Sequence, residues 1–287
     1  MIHCTPITFQ GAEAIRLHSP EAGSAVILLQ GGQVVSWIDP AGQERLYLSP
    51  LSPLGGEQPV RGGVPVVFPQ FSLRGPLVRH GFARTQPWRC VAPQDGQEAA
   101  TMATLALSES DATLALWPHL FHCTLQVTLT PWQLEMRFTA NNTGTVPWHF
   151  CAALHTYLAA GPLNSVELDG LQNLAYEDTL QAGLLVHGTN ATVQPRDAID
   201  RIYFNARQPL TLTTAMGEMA LTQHGWPDTV VWNPGPDGAS AMVDLPDTDH
   251  DRFMCVEAAL IGEPHLLAPG ALWQGTQTLR ALHVPTT

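Results

Sequence analysis

The chain has 287 residues, of which 45% are hydrophobic and 13% are charged, so its composition supports a large buried core and excludes disorder throughout. Acidic residues outnumber basic ones 25 to 13, and the formal net charge of −12 argues against nucleic acid or an anionic membrane as partners, because both require a basic surface. The five cysteines form no CxxC pair, and no apolar run is long enough to span a membrane. We therefore expect a cytoplasmic protein that works as a monomer, with reduced cysteines in its core.

Alternating apolar and polar residues recur along the chain and predict short β-strands rather than amphipathic helices. In chain order, strands are predicted at residues 25–29, 33–38, 103–107, 113–117, 125–129, 134–138, 150–158, 210–214, 229–232, 253–258 and 274–284. Pro131-Trp132 marks a hairpin turn between the fifth and sixth of these strands, and Gly235-Pro236-Asp237-Gly238 is expected to be a mobile loop. The pattern predicts an all-β fold, a large antiparallel β-sandwich that forms a single domain over residues 1–287.

All thirteen basic residues are arginine, and five of them lie in one short early segment. Forked guanidinium groups gathered in an otherwise acidic chain are suited to hold a compact oxyanion such as phosphate or carboxylate. Arg61 precedes two glycines and Arg84 ends the run His80-Gly81-Phe82-Ala83-Arg84, so both lie where backbone can approach a ligand closely. We predict that at least one of the two binds an anion. Five other arginines are interpreted as surface charges: Arg16, Arg45, Arg74, Arg89 and Arg280.

Four further side chains are candidates for chemistry, and each has a structural alternative. His80 lies between arginines, which should lower its pKa; the neutral ring either donates to a ligand oxygen or is satisfied by backbone. His155 stands in an apolar run, either as a core residue or as a general acid. Glu257 either points outward from its strand or is partly buried, with a raised pKa that suits a general base. Asp200 either binds ligand hydroxyls or forms an ion pair with Arg201.

Other common sites lack their sequence signals. No HxH, HExxH or HxxxH pair of histidines occurs, and the chain has no GxGxxG nucleotide-binding motif, so we expect neither a metal nor a cofactor. The absence of lysine excludes a Schiff-base lysine. Asp228 is interpreted as a turn residue.

Six segments occur in order along the chain: Arg61-Gly-Gly-Val-Pro-Val-Val-Phe-Pro-Gln-Phe, His80-Gly-Phe-Ala-Arg, Leu154-His-Thr-Tyr, Asp200-Arg-Ile-Tyr, Val230-Val-Trp-Asn-Pro and Val256-Glu-Ala. Together they resemble the hexose-6-phosphate mutarotases, the glucose-6-phosphate 1-epimerase branch of the aldose 1-epimerase superfamily. The resemblance implies a galactose-mutarotase-like supersandwich without a cofactor, and a small-molecule sugar phosphate as substrate. It also implies that His155 and Glu257 are the catalytic pair. The substrate contacts that it implies are Arg61, His80, Arg84 and Asp200.

One position departs from the resemblance, because Arg79 stands where that family typically has glutamine before the histidine. The extra cation either tightens the grip on phosphate or selects a different sugar phosphate, so Arg79 is also a candidate substrate-binding residue. The predicted function is interconversion of the α and β anomers of a hexose 6-phosphate, with glucose 6-phosphate as the first choice. Two alternatives stay open at this point: an aldose 1-epimerase that acts on free sugars, and a carbohydrate-binding sandwich without turnover.

Overall fold

The structure is a computed structural model that describes residues 3–91 and 102–282. Within these ranges the strands form three antiparallel sheets, as the alternating pattern predicts. The N-terminal sheet has four strands in chain order: β1 (His3–Phe9), β2 (Ala12–Ser19), β3 (Gly23–Leu28) and β4 (Val34–Ile38). Among the described helices, none is long and apolar enough to cross a membrane.

The outer sheet is built around the hairpin of β8 (Phe121–Thr130) and β9 (Gln133–Asn142), whose buried residues follow the period of two that a strand requires. The turn falls at Pro131-Trp132, as predicted, with Trp132 at a φ of 63°. In spatial order its strands in the described ranges are β12 (Glu167–Asp169), β16 (Leu210–Thr214), β17 (Gly217–His224), β20 (Leu272–Leu282), β9 (Gln133–Asn142), β8 (Phe121–Thr130), β7 (Met102–Ser108) and β6 (Arg89–Val91).

The central sheet lies against the outer sheet on one face and carries the functional side chains on the other. Its described strands, in spatial order, are β14 (Leu184–Val186), β13 (Tyr176–Asp178), β15 (Ile199–Tyr203), β18 (Asp228–Asn233), β19 (Phe253–Leu267), β10 (Trp148–Leu154) and β5 (Val66–Val67), while β11 (Tyr157–Ala159) also pairs with β19.

Successive residues of β19 show how the two faces of the central sheet differ. Met254, Val256 and Ala258 pack into the large core shared with the outer sheet. Cys255 and Ala259, which alternate with them, belong to smaller apolar clusters on the opposite face. Each large side chain that is fully buried contributes roughly 1.5–3 kcal/mol, so the shared core fixes the register of the strand and thereby the face on which every second residue lies.

Two predicted elements are wrong, and both are short helices. The strand predicted at 113–117 is the helix α1 (Asp111–Leu116), where Ser110 and Thr113 form a reciprocal capping box that satisfies the first amides. The loop predicted to be mobile is the helix α2 (Gly235–Ser240), which has a proline in its first turn. The described 3-10 turns are Ala83–Thr85, Leu163–Ser165, Thr179–Gln181 and Asp249–Arg252. Residues 283–284 of the last predicted strand lie outside the described residues.

The predictions for buried residues need two corrections. Cys4 and Cys90 are exposed, whereas Cys123, Cys151 and Cys255 are buried; all five are unpaired in the described parts of the chain. Arg45, interpreted as a surface charge, is only 7% exposed. It pairs with the buried Asp39, with its Nε and Nη2 atoms 2.7 and 2.6 Å from Oδ2.

Candidate active site

A cavity of about 500 Å³ lies on the face of the central sheet that points away from the shared core. All seven side chains that the sequence singled out line this one cavity: Arg61, Arg79, His80, Arg84, His155, Asp200 and Glu257. They come from positions spread over nearly two hundred residues, so the fold and not the local sequence assembles them.

Strand register places the acidic residues of the cavity. Asp200 on β15 lies opposite Trp232 on β18, and Val230 lies opposite Glu257 on β19. Because side chains two apart share a face, Asp200, Trp232 and Glu257 all point to the same side of the sheet. Glu257 therefore faces neither the shared core nor open solvent; it lies on the cavity floor and is 1% exposed.

His155 lies where the predicted strand 150–158 breaks into β10 and β11. Its backbone amide donates to the Pro65 carbonyl at 3.0 Å, and the amide of Tyr157 donates to the Gly63 carbonyl at 2.8 Å. These two bonds draw the segment after Arg61 alongside the break. The glycine-rich segment and the histidine therefore meet at one end of the central sheet.

His155 and Glu257 form a direct buried pair, with His155 Nε2 3.4 Å from Glu257 Oε1. The other polar atom of each side chain, His155 Nδ1 and Glu257 Oε2, is buried and has no hydrogen-bond partner among the described residues. An unsatisfied buried polar atom costs roughly 1–3 kcal/mol, so a pair that leaves two of them is typical of a functional site.

Burial shifts the pKa of both members of the pair toward their neutral forms. The pKa of Glu257 is raised well above its ordinary value, chiefly by burial and also by Asp200. The pKa of His155 is lowered well below its ordinary value by burial and then by the nearby His80, Arg84 and Arg61. The predicted rise for Glu257 is confirmed. Both directions favour the neutral forms, with the proton of the pair on the Glu257 carboxyl; the expected mechanism instead starts from a protonated His155.

A tight turn aims His80 and Arg84 into the cavity. The amides of Phe82 and Ala83 both donate to the Phe68 carbonyl, at 3.1 and 3.2 Å, which folds the turn onto the end of β5. Gly81 has a φ of 69°, and a Cβ atom there would lie 2.2 Å from that same carbonyl oxygen. Only glycine fits this position, since the chain approaches backbone and not a movable side chain.

His80 is neutral, as predicted, although the larger cause differs from the expected one. Burial first, then Arg84, Arg79 and Arg61, lower its pKa to about 3. The Ser72 amide donates to His80 Nδ1 at 3.3 Å, so the ring proton resides on Nε2. A neutral histidine whose Nδ1 already accepts is left with one N–H to donate.

Arg61 and Arg84 line the same cavity but have different partners. Arg61 pairs with Asp244 through Nε and Nη2, each 3.2 Å from Oδ2, and its Nη1 donates to the Tyr157 hydroxyl at 3.3 Å. Arg84 donates from Nη2 to the Arg79 carbonyl at 2.8 Å, while its buried Nε has no partner in the described residues. Burial lowers the pKa of Arg84 to about 10. Arg84 is thus a cation with no carboxylate within 4.0 Å in residues 3–91 and 102–282.

Arg74 is exposed, as expected of a surface charge, but it also lines the cavity and pairs with Glu177 on β13. Two other single-residue interpretations are wrong. Asp228 is no exposed turn residue: it is 3% exposed and accepts from the amides of Ile261 and Gly262 at 2.9 and 2.8 Å. Arg201 does not pair with Asp200; its guanidinium lies 4.5 Å from the centre of the Tyr176 ring.

Sequence reasoning missed two side chains of the site. Asp244 holds Arg61 from 183 residues away, and nothing in its local sequence signals that contact. Tyr157 lies two residues after His155 in the same motif, and this spacing could have predicted that the two side chains share a face. Its ring stacks on His155, with centroids 4.8 Å apart and 12° between the planes.

The arrangement combines an acid–base pair, a neutral histidine donor and arginines around a cavity large enough for a monosaccharide phosphate. Such a pair can take a proton from one oxygen and give one to another within the same ring. In the described ranges no group of three or more histidine, cysteine, aspartate or glutamate side chains is arranged to hold a metal ion.

Comparison with known proteins identifies the family of the chain. A family model described as aldose 1-epimerase matches residues 13–280. A protein of Cenchrus ciliaris named "Putative glucose-6-phosphate 1-epimerase" is 32% identical over 284 residues, which cover 96% of this chain and 86% of that protein. A protein of the same name from Escherichia coli K12 is 31% identical over 244 residues, 83% of this chain and 80% of its own length.

Solved structures agree as well. The crystal structure of a protein from Salmonella typhimurium described as a putative mutarotase superposes with a TM-score of 0.87 at 27% identity, covering 98% of this chain and 94% of that one. A galactose mutarotase related protein from Lactobacillus acidophilus, 15% identical, superposes with a TM-score of 0.72 over 99% of this chain and 98% of its own, which shows the shared fold. The predicted galactose-mutarotase-like sandwich is confirmed, and the chain belongs to the aldose 1-epimerase family.

Proposed function

We propose that this chain interconverts the α and β anomers of a hexose 6-phosphate, with glucose 6-phosphate as the preferred substrate. One observation carries the proposal: a buried histidine–glutamate pair, 3.4 Å apart, shares a cavity with an arginine that has no carboxylate partner in the described residues. The pair suits a reaction that moves protons between two oxygens of one sugar. The arginine suits a substrate that brings its own negative charge.

The proposed reaction opens and recloses the pyranose ring. Glu257, as carboxylate, takes the proton of the C1 hydroxyl, while protonated His155 gives a proton to the ring oxygen and the bond between C1 and that oxygen breaks. Rotation about the C1–C2 bond turns the aldehyde, and the reverse transfers close the other anomer. The pair holds one proton before and after, and that proton has to move from Glu257 Oε1 to His155 Nε2 for these roles to be taken up. Each positioned acid or base typically contributes roughly 10²- to 10⁴-fold.

The other cavity residues would bind the substrate. Arg61 and Arg84, with Arg79 at the exposed side, would hold the phosphate through charge-assisted hydrogen bonds. His80 would donate from Nε2–H to a sugar oxygen, and Asp200 would accept from sugar hydroxyls. These steps use side chains alone, so we propose a reaction without a cofactor.

Two observations favour this proposal over the alternatives. Burial already lowers the pKa of Arg84, which means that its cation is held at a cost. A free sugar would bring no negative charge to offset that cost, whereas a sugar phosphate would. A binding sandwich without turnover has no use for two buried polar atoms left unsatisfied on one acid–base pair.

We also propose that the chain works as a cytoplasmic monomer of one domain, with neither nucleic acid nor membrane as a partner. The support is that one family model spans residues 13–280, and that the net charge of −12 disfavours anionic surfaces.

The test is exchange NMR on equilibrated glucose 6-phosphate, with glucose, galactose 6-phosphate and mannose 6-phosphate as comparators. We expect protein-dependent exchange between the anomers that Glu257→Gln abolishes. The matched control is Glu263→Gln, an exposed glutamate on the same strand, which should leave the rate unchanged. Exchange that survives Glu257→Gln, or no exchange by the unaltered chain, would refute the proposal.

A further inference from the structure

Tyr157 joins the arginine side of the cavity to the acid–base side. It is 2% exposed, and its hydroxyl accepts from Arg61 Nη1 at 3.3 Å. The face of its ring lies on the His155 imidazole, with centroids 4.8 Å apart and planes 12° from parallel. A single rigid side chain thus fixes the distance between a guanidinium that lines the cavity and the histidine of the pair.

The surroundings of His155 are unusually cationic for a group that must carry a proton. Its titratable and charged neighbours come from several elements of the site: Glu257 on β19, Tyr157 on β11, His80 and Arg84 in the turn after β5, and Arg61 before β5. The buried Glu257 can offset the positive charge around His155, but only when it is ionised to the carboxylate. Charges act over longer distances beside buried side chains than in water, because the local dielectric constant is lower.

We propose that a phosphate dianion bound at Arg61 and Arg84 activates the His155–Glu257 pair as well as holding the substrate, with Tyr157 as the positioning residue that couples the two sites. This inference rests on the proposed function and deepens it. A dianion at the arginines offsets the positive charge that opposes a proton on His155. The shared proton then moves from Glu257 Oε1 to His155 Nε2, which leaves the carboxylate and the imidazolium that ring opening requires.

This transfer conserves both protons and charge. No proton enters or leaves the pair, because one O–H bond breaks on Glu257 and one N–H bond forms on His155. The parallel Tyr157 ring also favours the imidazolium, since an aromatic face attracts a cation. Phosphate binding energy is thereby used in the chemical step and should appear in kcat as well as in KM.

The test separates the substrate into two pieces. Xylose is glucose without the C6 arm, and inorganic phosphite dianion stands in for the missing phosphate group. Anomer exchange of xylose is measured by NMR with and without phosphite, after subtraction of the rates without protein. Couplings between sites are typically about 5- to 150-fold, and we expect phosphite to raise kcat/KM for xylose by a factor in this range.

Tyr157→Phe keeps the aromatic ring and removes only the hydroxyl that accepts from Arg61. We expect it to bring the ratio of kcat/KM for xylose with and without phosphite close to one, and to lower kcat for glucose 6-phosphate. Tyr203→Phe is the matched control, because Tyr203 is also 2% exposed and lies near Arg201, outside the cavity. It should retain full activation.

A pH profile gives a readout that a purely structural role would not move. Negative charge at the arginines favours every protonated form of the pair, so phosphite should shift both limbs of the xylose profile to higher pH. Tyr157→Phe should show a smaller shift.

The outcomes separate the two proposals. Phosphite that fails to activate xylose exchange, while glucose 6-phosphate exchange is fast and depends on Glu257, would overturn the coupling and leave the proposed function standing. Equal losses in Tyr157→Phe with and without phosphite would reduce Tyr157 to a structural residue and also overturn it. If the unaltered chain exchanges no glucose 6-phosphate, both proposals are wrong.

Discussion

Replacing Arg84 with glutamine separates substrate binding from stability, because the two effects should have opposite signs. The guanidinium is half-buried, and no carboxylate of the described residues lies within 4.0 Å of it. If it binds the phosphate, Arg84→Gln removes one charge-assisted contact, which typically contributes about 1.5–3 kcal/mol. That corresponds to about a ten- to hundredfold lower kcat/KM for glucose 6-phosphate, with little change for glucose.

The same substitution should not destabilise the fold. Burial already lowers the pKa of Arg84 to about 10, so a neutral amide at this place is easier to bury than the cation. We expect an unchanged or higher free energy of unfolding in urea. Functional sites often carry such local costs to stability, and removing them often stabilises the protein.

Arg45→Gln is the matched control, since Arg45 is also a buried arginine but pairs with Asp39 at 2.6 Å. Losing one partner of a buried ion pair typically costs about 3–5 kcal/mol, so this variant should unfold at lower urea while its preference for glucose 6-phosphate over glucose persists. Exchange NMR with both sugars gives the ratio for each variant. Equal losses on the two sugars in Arg84→Gln would refute the phosphate-binding role.

Three further predictions concern the groups that build the site. The pKa of His80 is lowered to about 3 from an ordinary 6.5, so its contribution to stability is fully present above pH 6.5 and is lost as the pH falls towards 3. At pH 5 the lost free energy of unfolding is about 2 kcal/mol, and His80→Gln should reduce the pH dependence of urea unfolding by that amount. Parallel curves of unfolding free energy against pH for the two proteins would contradict this prediction. Gly81→Ala should destabilise the protein by more than about 1 kcal/mol and impair anomer exchange, because its Cβ would meet the Phe68 carbonyl. Gly42→Ala, at a similar φ but with open space around it, should leave exchange intact. A Gly81→Ala protein with normal exchange rates would show that the turn does not position His80 and Arg84. Asp228→Ala should lower the free energy of unfolding by about 1.5–3 kcal/mol, because the carboxylate accepts from the backbone amides of Ile261 and Gly262, and it should keep the preference for glucose 6-phosphate over glucose. Asp200→Asn should raise KM with little effect on unfolding. A loss of stability in Asp200→Asn together with a raised KM in Asp228→Ala would contradict both assignments.

Local patterns in the sequence were enough for elements whose stability depends on nearest neighbours. The hairpin of β8 and β9 was predicted because its apolar residues alternate and Pro131-Trp132 interrupts them. The strand at 210–214 has the predicted bounds. Helix α1 was missed because its apolar residues do not repeat at helical spacing; side chains of Ser110 and Thr113 that cap its first turn stabilise it instead.

The sequence by itself predicted the all-β class and named seven side chains that line one cavity, because alternation and motif spacing are properties of the linear chain. It did not determine which way Glu257 points, since a period of two says which residues share a face but not what covers that face. It also gave no sign that Asp244 would hold Arg61, or that Arg45 would be buried against Asp39. Those contacts depend on how three sheets pack, and only the tertiary structure decides whether a given charge meets solvent, a partner or a substrate.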